Sequence, residues 1–316
     1  MKRHTTAAVF ALGIAVAIST PAASQEVRLM TGPQGGVWVP LGGQLKDLWE
    51  KAVPGMKIQN LPGAGIANVR GVHEGKAEIG FGNSISTVDA VAGKEPFKTP
   101  HNNVCNIATL YPQYYQLVVT KDSNIKSVKD LKGKSITTQQ RGNTGELITK
   151  QLLEVNGMSY NDVKMSYVSY TDSVAQVKDG HAIAFGLGTA IPSGAVMDLA
   201  AARDIELLDL SGSLAGMKKL NPGYTLVTVP ANTYPKNDKD VKVIGYATHL
   251  VVSCKMPDDA VYAMTKAIAA NIPTLASVNK GMAKLTPKDM AEKIGVPFHK
   301  GAARFYKEAG INVPTN

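Results

Sequence analysis

Thr31–Gly43, TGPQGGVWVPLGG, reads as a strand end, a glycine-rich turn and a helix opened by Pro40. Proline suits a first helical position because its fixed φ is already helical. Leu41, Leu45, Leu48 and Ala52 follow at helical spacing. Bare backbone N–H groups beside the positive end of a helix dipole hold anions. Gly36, Val37 and Trp38 sit where such an anion would lie. Trp38 falls in the turn and off the apolar stripe, so it reads as a pocket wall, with ordinary core packing as the alternative.

The pattern recurs downstream. Ser135–Thr138 is strand-like and enters the turn Gln140–Gly145, and a helix then runs through Leu147, Ile148, Leu152 and Val155 to Gly157. Arg141 in that turn offers a planar guanidinium that can hold a carboxylate with two parallel hydrogen bonds. It is equally readable as a solvent-facing turn residue. Gly142 offers bare backbone, and Asn143 and Thr144 are either ligand donors or caps for the helix. Asn83 and Ser84, after an apolar strand, are donors or turn formers, and Gly188, Thr189 and Ala190 carry the same two readings. Gln116 is a further candidate from a strand that joins the two halves.

Catalytic and metal signatures are missing from the sequence. GAGIAN (63–68) and GLGTAI (186–191) begin like dinucleotide fingerprints but lack the third glycine. There is no Gly-x-Ser-x-Gly elbow, Walker loop or HExxH, and no CxxC or Cys/His cluster. His73, His101, His181, His249 and His299 are isolated and read as turn caps or surface residues. An enzyme, a cofactor and a bound metal are therefore not expected.

The elements that must position these residues alternate between strand and helix, as in an α/β protein. Strand-like runs lie at Val27–Met30, Met56–Leu61, Ala77–Phe81, Asn106–Leu110, Gln116–Thr120 and Ala247–Ser253, and Ile66–Glu74 is a short helix. Tyr111–Tyr115 reads as a break between two strands. Glu74–Gly82 (EGKAEIGFG) echoes Asp179–Gly186 (DGHAIAFG): each follows a helix-like stretch, turns at glycine, runs as a buried strand and opens into a polar loop. Two similar α/β lobes are expected, residues 25–115 plus 250–316 and residues 116–249, with Gln116–Thr120 and Ala247–Ser253 crossing between them as a hinge.

Lys2, Arg3 and His4, the apolar run Ala7–Ile18 and the small residues of TPAASQ predict a signal peptide over residues 1–24, cleaved after Ser24. A periplasmic location follows from that reading. Its removal leaves 32 basic against 25 acidic residues, a charge of +7. The basic residues are scattered and not interleaved with aromatics, which argues against nucleic acid as a partner. A mildly positive field favours arrival of an anion. Cys105 and Cys254 are readable either as a disulfide in an oxidising compartment or as free buried thiols.

Several segments together resemble the TAXI class of solute-binding receptors of TRAP transporters. They are TGPQGGVWVPLGG (31–43), EGKAEIGFGNS (74–84), LYPQYYQLVVTKDSNIKSVKDLKGKSI (110–136), VPANTYPKNDKDV (229–241), HLVVSCKMPDDAVYAMTKAI (249–268) and VPFHKGAARFYKEAGI (296–311). The resemblance implies a type II periplasmic binding-protein fold, a monomer, a small carboxylate held between two lobes, and delivery to integral-membrane TRAP permease subunits. A receptor of a tricarboxylate-type or ATP-driven importer shares that fold, and an exported enzyme acting on small acids is the reading from another class. The chain departs from the family in its pocket turns. Tyrosines usual in the first turn are replaced by Val37-Trp38-Val39, and a Gly-Gly-Ser turn becomes Ala64-Gly65-Ile66. The resemblance places Gly65 and Ile66 at the ligand and implies a more apolar pocket than one built for glutamate.

Overall fold

The computed structural model describes Met1 and residues 25–315, so the signal peptide expected over 1–24 lies outside the described residues. Among these residues, ten strands form one mixed sheet: β1 (Gln25–Met30), β2 (Met56–Leu61), β3 (Ile79–Asn83), β4 (Cys105–Thr120), β5 (Ser135–Thr138), β6 (Lys164–Tyr167), β7 (Ala184–Thr189), β8 (Ile205–Leu207), β9 (Thr225–Val229) and β10 (Val241–Val252). The path is β2-β1-β3-β10-β4-β7-β5-β6, with β8 on β4 and β9 on β10. The helices are α1 (Trp38–Ala52), α2 (Gly65–His73), α3 (Ser84–Ala92), α4 (Thr144–Val155), α5 (Tyr170–Lys178), α6 (Gly194–Ala202), α7 (Leu214–Leu220), α8 (Asp258–Ala270), α9 (Ile272–Val278), α10 (Pro287–Met290) and α11 (Lys300–Glu308). None is long and apolar enough to cross a membrane.

The sheet is two copies of one unit joined at their inner edges. In the first, β1 pairs in parallel with β2 and β3; in the second, β5 pairs in parallel with β6 and β7. The echoed segments become β3 and β7, and each meets a long antiparallel strand, β3 on β10 and β7 on β4. The turn glycines of the echo, Gly75 and Gly180, have φ of +72° and +77°, a conformation glycine adopts without penalty. These are two α/β lobes, and β4 and β10 run through both.

Each lobe has its own core. α1 buries Leu41, Leu45 and Trp49 in the first, as its 3.6-residue spacing requires, with Phe81, Val261, Met264, Phe298 and Tyr306. The Trp49 indole N–H donates to the Met264 carbonyl at 3.1 Å and ties α1 to α8. Fully burying such a side chain contributes roughly 1.5–3 kcal/mol. Ile136, Ile148, Leu152, Val174, Phe185 and Leu187 build the second core. Along β4, Tyr111 packs in the first core and Tyr115 in the second; along β10, Tyr246 packs in the second and Leu250 in the first.

Four expectations need correction. β4 is one unbroken strand through Tyr111–Tyr115. Pro112, which lacks an N–H, is tolerated there because β10 flanks it on one side while β7 pairs only from Tyr114 onward. β10 begins at Val241, not at Ala247, because its first half pairs with β9. α1 begins at Trp38, which puts Pro40 third; a first-turn residue needs no intrahelical N–H bond. His249 is not at the surface: it is wholly buried, with one ring nitrogen 3.0 Å from Asn106 Oδ1 and the other 2.8 Å from Thr87 Oγ1.

Cys105 and Cys254 form a disulfide that closes a separation of 149 residues and clasps the first-lobe ends of β4 and β10. Loop-closure entropy gives such a bridge a stabilisation of up to about 5 kcal/mol. The paired substitution Cys105→Ala, Cys254→Ala is expected to lower the urea midpoint by an amount equivalent to about 2–5 kcal/mol. An unchanged midpoint would show that the bridge is idle.

Burial pushes the His249 pKa down from 6.5 to about 3. The unfolded chain therefore binds a proton that the folded chain refuses, and stability present above pH 6.5 falls as pH drops toward 3. His249→Asn is expected to flatten the melting temperature against pH in that window. The same slope in the variant would assign the acid sensitivity elsewhere.

Candidate functional site

The strand ends and helix starts of the two lobes converge on a small cavity. Its walls are Pro33, Gly36, Val37 and Trp38 from the turn into α1, Asn83 at the end of β3, and Gln113 on β4. The second lobe adds Gln139 and Asn143 before α4, Tyr170 opening α5, and Gly188 and Thr189 at the end of β7. Four helices thus present their N-terminal ends here: Trp38 and Tyr170 are first residues of α1 and α5, and Asn83 and Asn143 are the N-caps of α3 and α4. α1 and α3 carry no side-chain cap; the first N–H groups of α3 are left for another acceptor, whereas in α1 Val39 N–H donates to the Gly36 carbonyl at 3.3 Å and Pro40 has none, leaving the Trp38 N–H.

No lining residue carries a charged side chain. The polarity comes from amides, hydroxyls, one indole and backbone. Asn83 Oδ1, Gln113 Oε1 and Gln139 Oε1 are buried acceptors without a hydrogen-bond partner. Leaving such an oxygen unpaired costs about 1–3 kcal/mol, which a ligand offsets only by bringing a donor. Trp38, expected off the apolar stripe, lies on the buried face of α1 with Leu41, Leu45 and Trp49. Its ring packs in the first core on Phe81 at 5.2 Å and beside the Tyr111 hydroxyl, so its core reading holds along with its place at the cavity. Gln113 Nε2 donates to Thr248 Oγ1 at 2.6 Å, and the Tyr170 hydroxyl donates to the Gly188 carbonyl at 2.7 Å while accepting from Gln139 Nε2. Burial pushes the Tyr170 hydroxyl well above its usual pKa, so it stays protonated.

The cavity is about 20 Å³, room for one water-sized group, because the lobes touch around it. Ala67 N–H donates to the Gly142 carbonyl at 3.0 Å, Ser86 Oγ and Thr144 Oγ1 lie 3.0 Å apart, and Asn221 Nδ2 donates to Asp89 Oδ2 at 3.0 Å. Gly65 is where the approach is closest: a Cβ there would lie 2.3 Å from Thr144 Oγ1 and 2.6 Å from Asn83 Nδ2. Gly65→Ala is expected to hold the lobes apart, raising the radius of gyration in small-angle scattering. An unchanged profile would mean that the contact yields without moving the lobes.

Of the residues singled out in the sequence, Gly36, Val37, Trp38, Asn83, Asn143, Gly188 and Thr189 meet at this cavity. Gly65 and Thr144 close against each other beside it. The others lie elsewhere. Arg141 is exposed, with its guanidinium 4.2 Å from the Tyr167 ring centroid, and with Ile66 and Gly142 it lines an outer groove between the lobes. Ser84 Oγ accepts from the Ala247 N–H at 3.1 Å, and Ala190 packs in the first-lobe core. Gln116 is fully buried and accepts from the Tyr234 hydroxyl at 2.6 Å. Asn143 takes the capping reading, its side chain accepting from the Gly145 N–H at 3.0 Å, while also lining the cavity. Pro33, Gln113, Gln139 and Tyr170 were missed. Gln139 flanks the second glycine turn directly, and Tyr170 follows Ser169, a capping residue that marks a helix start.

Two crossing strands between lobes, with a cavity at the strand ends, define the periplasmic binding-protein fold, type II. The fold matches the alkanesulfonate-binding protein SsuA from Xanthomonas axonopodis pv. citri bound to MOPS, at 17% identity over 90% of this chain and 84% of that one, TM-score 0.50. It also matches a putative L-cystine ABC transporter from Listeria monocytogenes at 17% identity over 85% and 98%, TM-score 0.50. A third match is PhnD1 from Prochlorococcus marinus (MIT 9301) in complex with methylphosphonate, at 14% identity over 81% and 90%, TM-score 0.50. The chain belongs to the NMT1-like family, whose model matches residues 29–310.

Proposed function

We propose that the protein is an exported solute-binding receptor that captures a small oxyanion, a carboxylate or a sulfonate, between its lobes and delivers it to a membrane importer. The convergence of four helix N-termini on a cavity without charged side chains carries this reading. Helix dipoles and bare N–H groups favour an anion there without an arginine or lysine. With no carboxylate to balance an ammonium charge, the cavity disfavours amines, while its three unpaired amide oxygens fit a hydroxyl donor on the ligand.

The lobes, residues 25–115 plus 250–316 and residues 116–249, turn about β4 and β10. Capture follows by population shift: the ligand bonds to both lobes at once in a closed state that holds them wider apart than the one-water cavity described above. The ligand contacts are Gly36, Val37, Trp38, Asn83, Gln113, Asn143, Tyr170, Gly188 and Thr189. Arg141, in the outer groove, guides the anion in. Names among the similar structures support an ATP-driven importer as the partner. The segments shared with TAXI receptors support the second reading, a TRAP permease; ATP dependence of uptake in reconstituted vesicles separates the two.

A thermal-shift screen of the mature chain against carboxylates, sulfonates, phosphonates, acidic amino acids and amines tests the proposal. A small carboxylate or sulfonate is expected to raise the midpoint, since a hundredfold excess over Kd stabilises by about 2.7 kcal/mol. Trp38→Ala is expected to weaken binding about tenfold or more, and Arg141→Ala less than about threefold. A shift with amines alone, or a collapse on Arg141→Ala, would overturn it.

A further inference from the structure

A second and much larger cavity, about 750 Å³, lies on the other face of the crossing strands. Pro112 and Ala247, register partners in β4 and β10, lie in its floor, whereas Gln113, next along β4, lines the interlobe cavity. Thr109–Pro112 and Tyr246–Ala247 all line the larger cavity, so the β4–β10 backbone is its floor, and the two spaces share no lining residue. Ile85 and Val88 of α3 form one wall and Leu285 and Ile294 another. Asn221, Pro222 and Gly223 of the second lobe complete it. The volume falls within the range of small-molecule sites, roughly 300–1,000 Å³.

The rim is charged in a particular way. Lys94, Lys284 and Lys293 line it, and none has a hydrogen-bond or ion-pair partner for its ammonium among the described residues. Of the two acids there, Asp289 is occupied in a capping box, accepting from the Thr286 N–H at 2.9 Å and the Thr286 hydroxyl at 2.6 Å. Lys94 also lies near the Asp89 carboxylate, so at the rest of the rim Glu292 stands against Lys284 and Lys293. An apolar chamber with a positive mouth complements an amphiphile with an acidic head.

We propose that this chamber is a second ligand site, which takes a medium-chain monoacid. The apolar body packs on Ile85, Val88, Leu285 and Ile294, and the acid group sits among Lys94, Lys284 and Lys293. The site is independent of the interlobe reading, since it shares no lining residue with that cavity.

Calorimetric titration of the full chain with decanoate, decanol and decyltrimethylammonium, all below micelle formation, tests it. Decanoate is expected to bind one to one, about tenfold or more tighter than either other probe. The double variant Lys284→Glu, Lys293→Glu, at exposed positions, is expected to weaken it about tenfold, and Val88→Trp, which fills the chamber, to abolish it. Trp38→Ala is expected to leave decanoate affinity within about twofold. Equal binding of all three probes, no binding of decanoate, or indifference to the charge reversal would overturn the proposal. Loss of decanoate on Trp38→Ala would also overturn it, by placing the acid in the interlobe cavity.

Discussion

The antiparallel pairing of β4 with β10 is the constraint on which the rest of the molecule depends. Among the described residues these strands are the only sheet elements that belong to both cores, changing allegiance between Tyr111 and Tyr115 and between Tyr246 and Leu250. β3 and β7 dock on them from opposite sides and so bring the turns after both strands to one place. The Cys105–Cys254 bridge fixes the first-lobe end of the pair. Because only two backbones cross, the lobes can rotate while each core stays intact.

That geometry explains a cavity at the strand ends without a charged side chain. Helices that start at strand ends point their N-termini inward, and four of them surround the same small space. Partial positive charge from peptide dipoles is fixed in position and carries no desolvation cost of a buried guanidinium. The unpaired amide oxygens of Asn83, Gln113 and Gln139 are acceptors, so they call for a donor such as a hydroxyl carried by the ligand beside its acid group.

Much of this was legible in the sequence because backbone chemistry leaves strong local marks. Glycine turns before helices located the starts of α1 and α4 that meet at the cavity, and the repeat of EGKAEIGFG in DGHAIAFG announced the two-fold architecture. The break at Tyr111–Tyr115 misled because a proline argues against a strand, and only tertiary placement beside an unpaired edge makes it acceptable. Arg141 misled for a related reason. Spacing locates a residue in a turn but does not say which way a long side chain leaves it, and Tyr167, twenty-six positions on, decides that. Gln113 carries no local signal, since it reaches the cavity only through the pairing of β4 with β10, whereas Tyr170 was marked only indirectly, by the capping Ser169 before it.

The most direct test of neutral capture is a crystal structure of the protein with a bound small carboxylate or sulfonate. The account predicts the oxyanion against the first turns of α1, α3 and α4, bonded by Trp38 and backbone N–H groups and by no charged side chain. An anion paired with Arg141, or seated away from the strand ends, would contradict it.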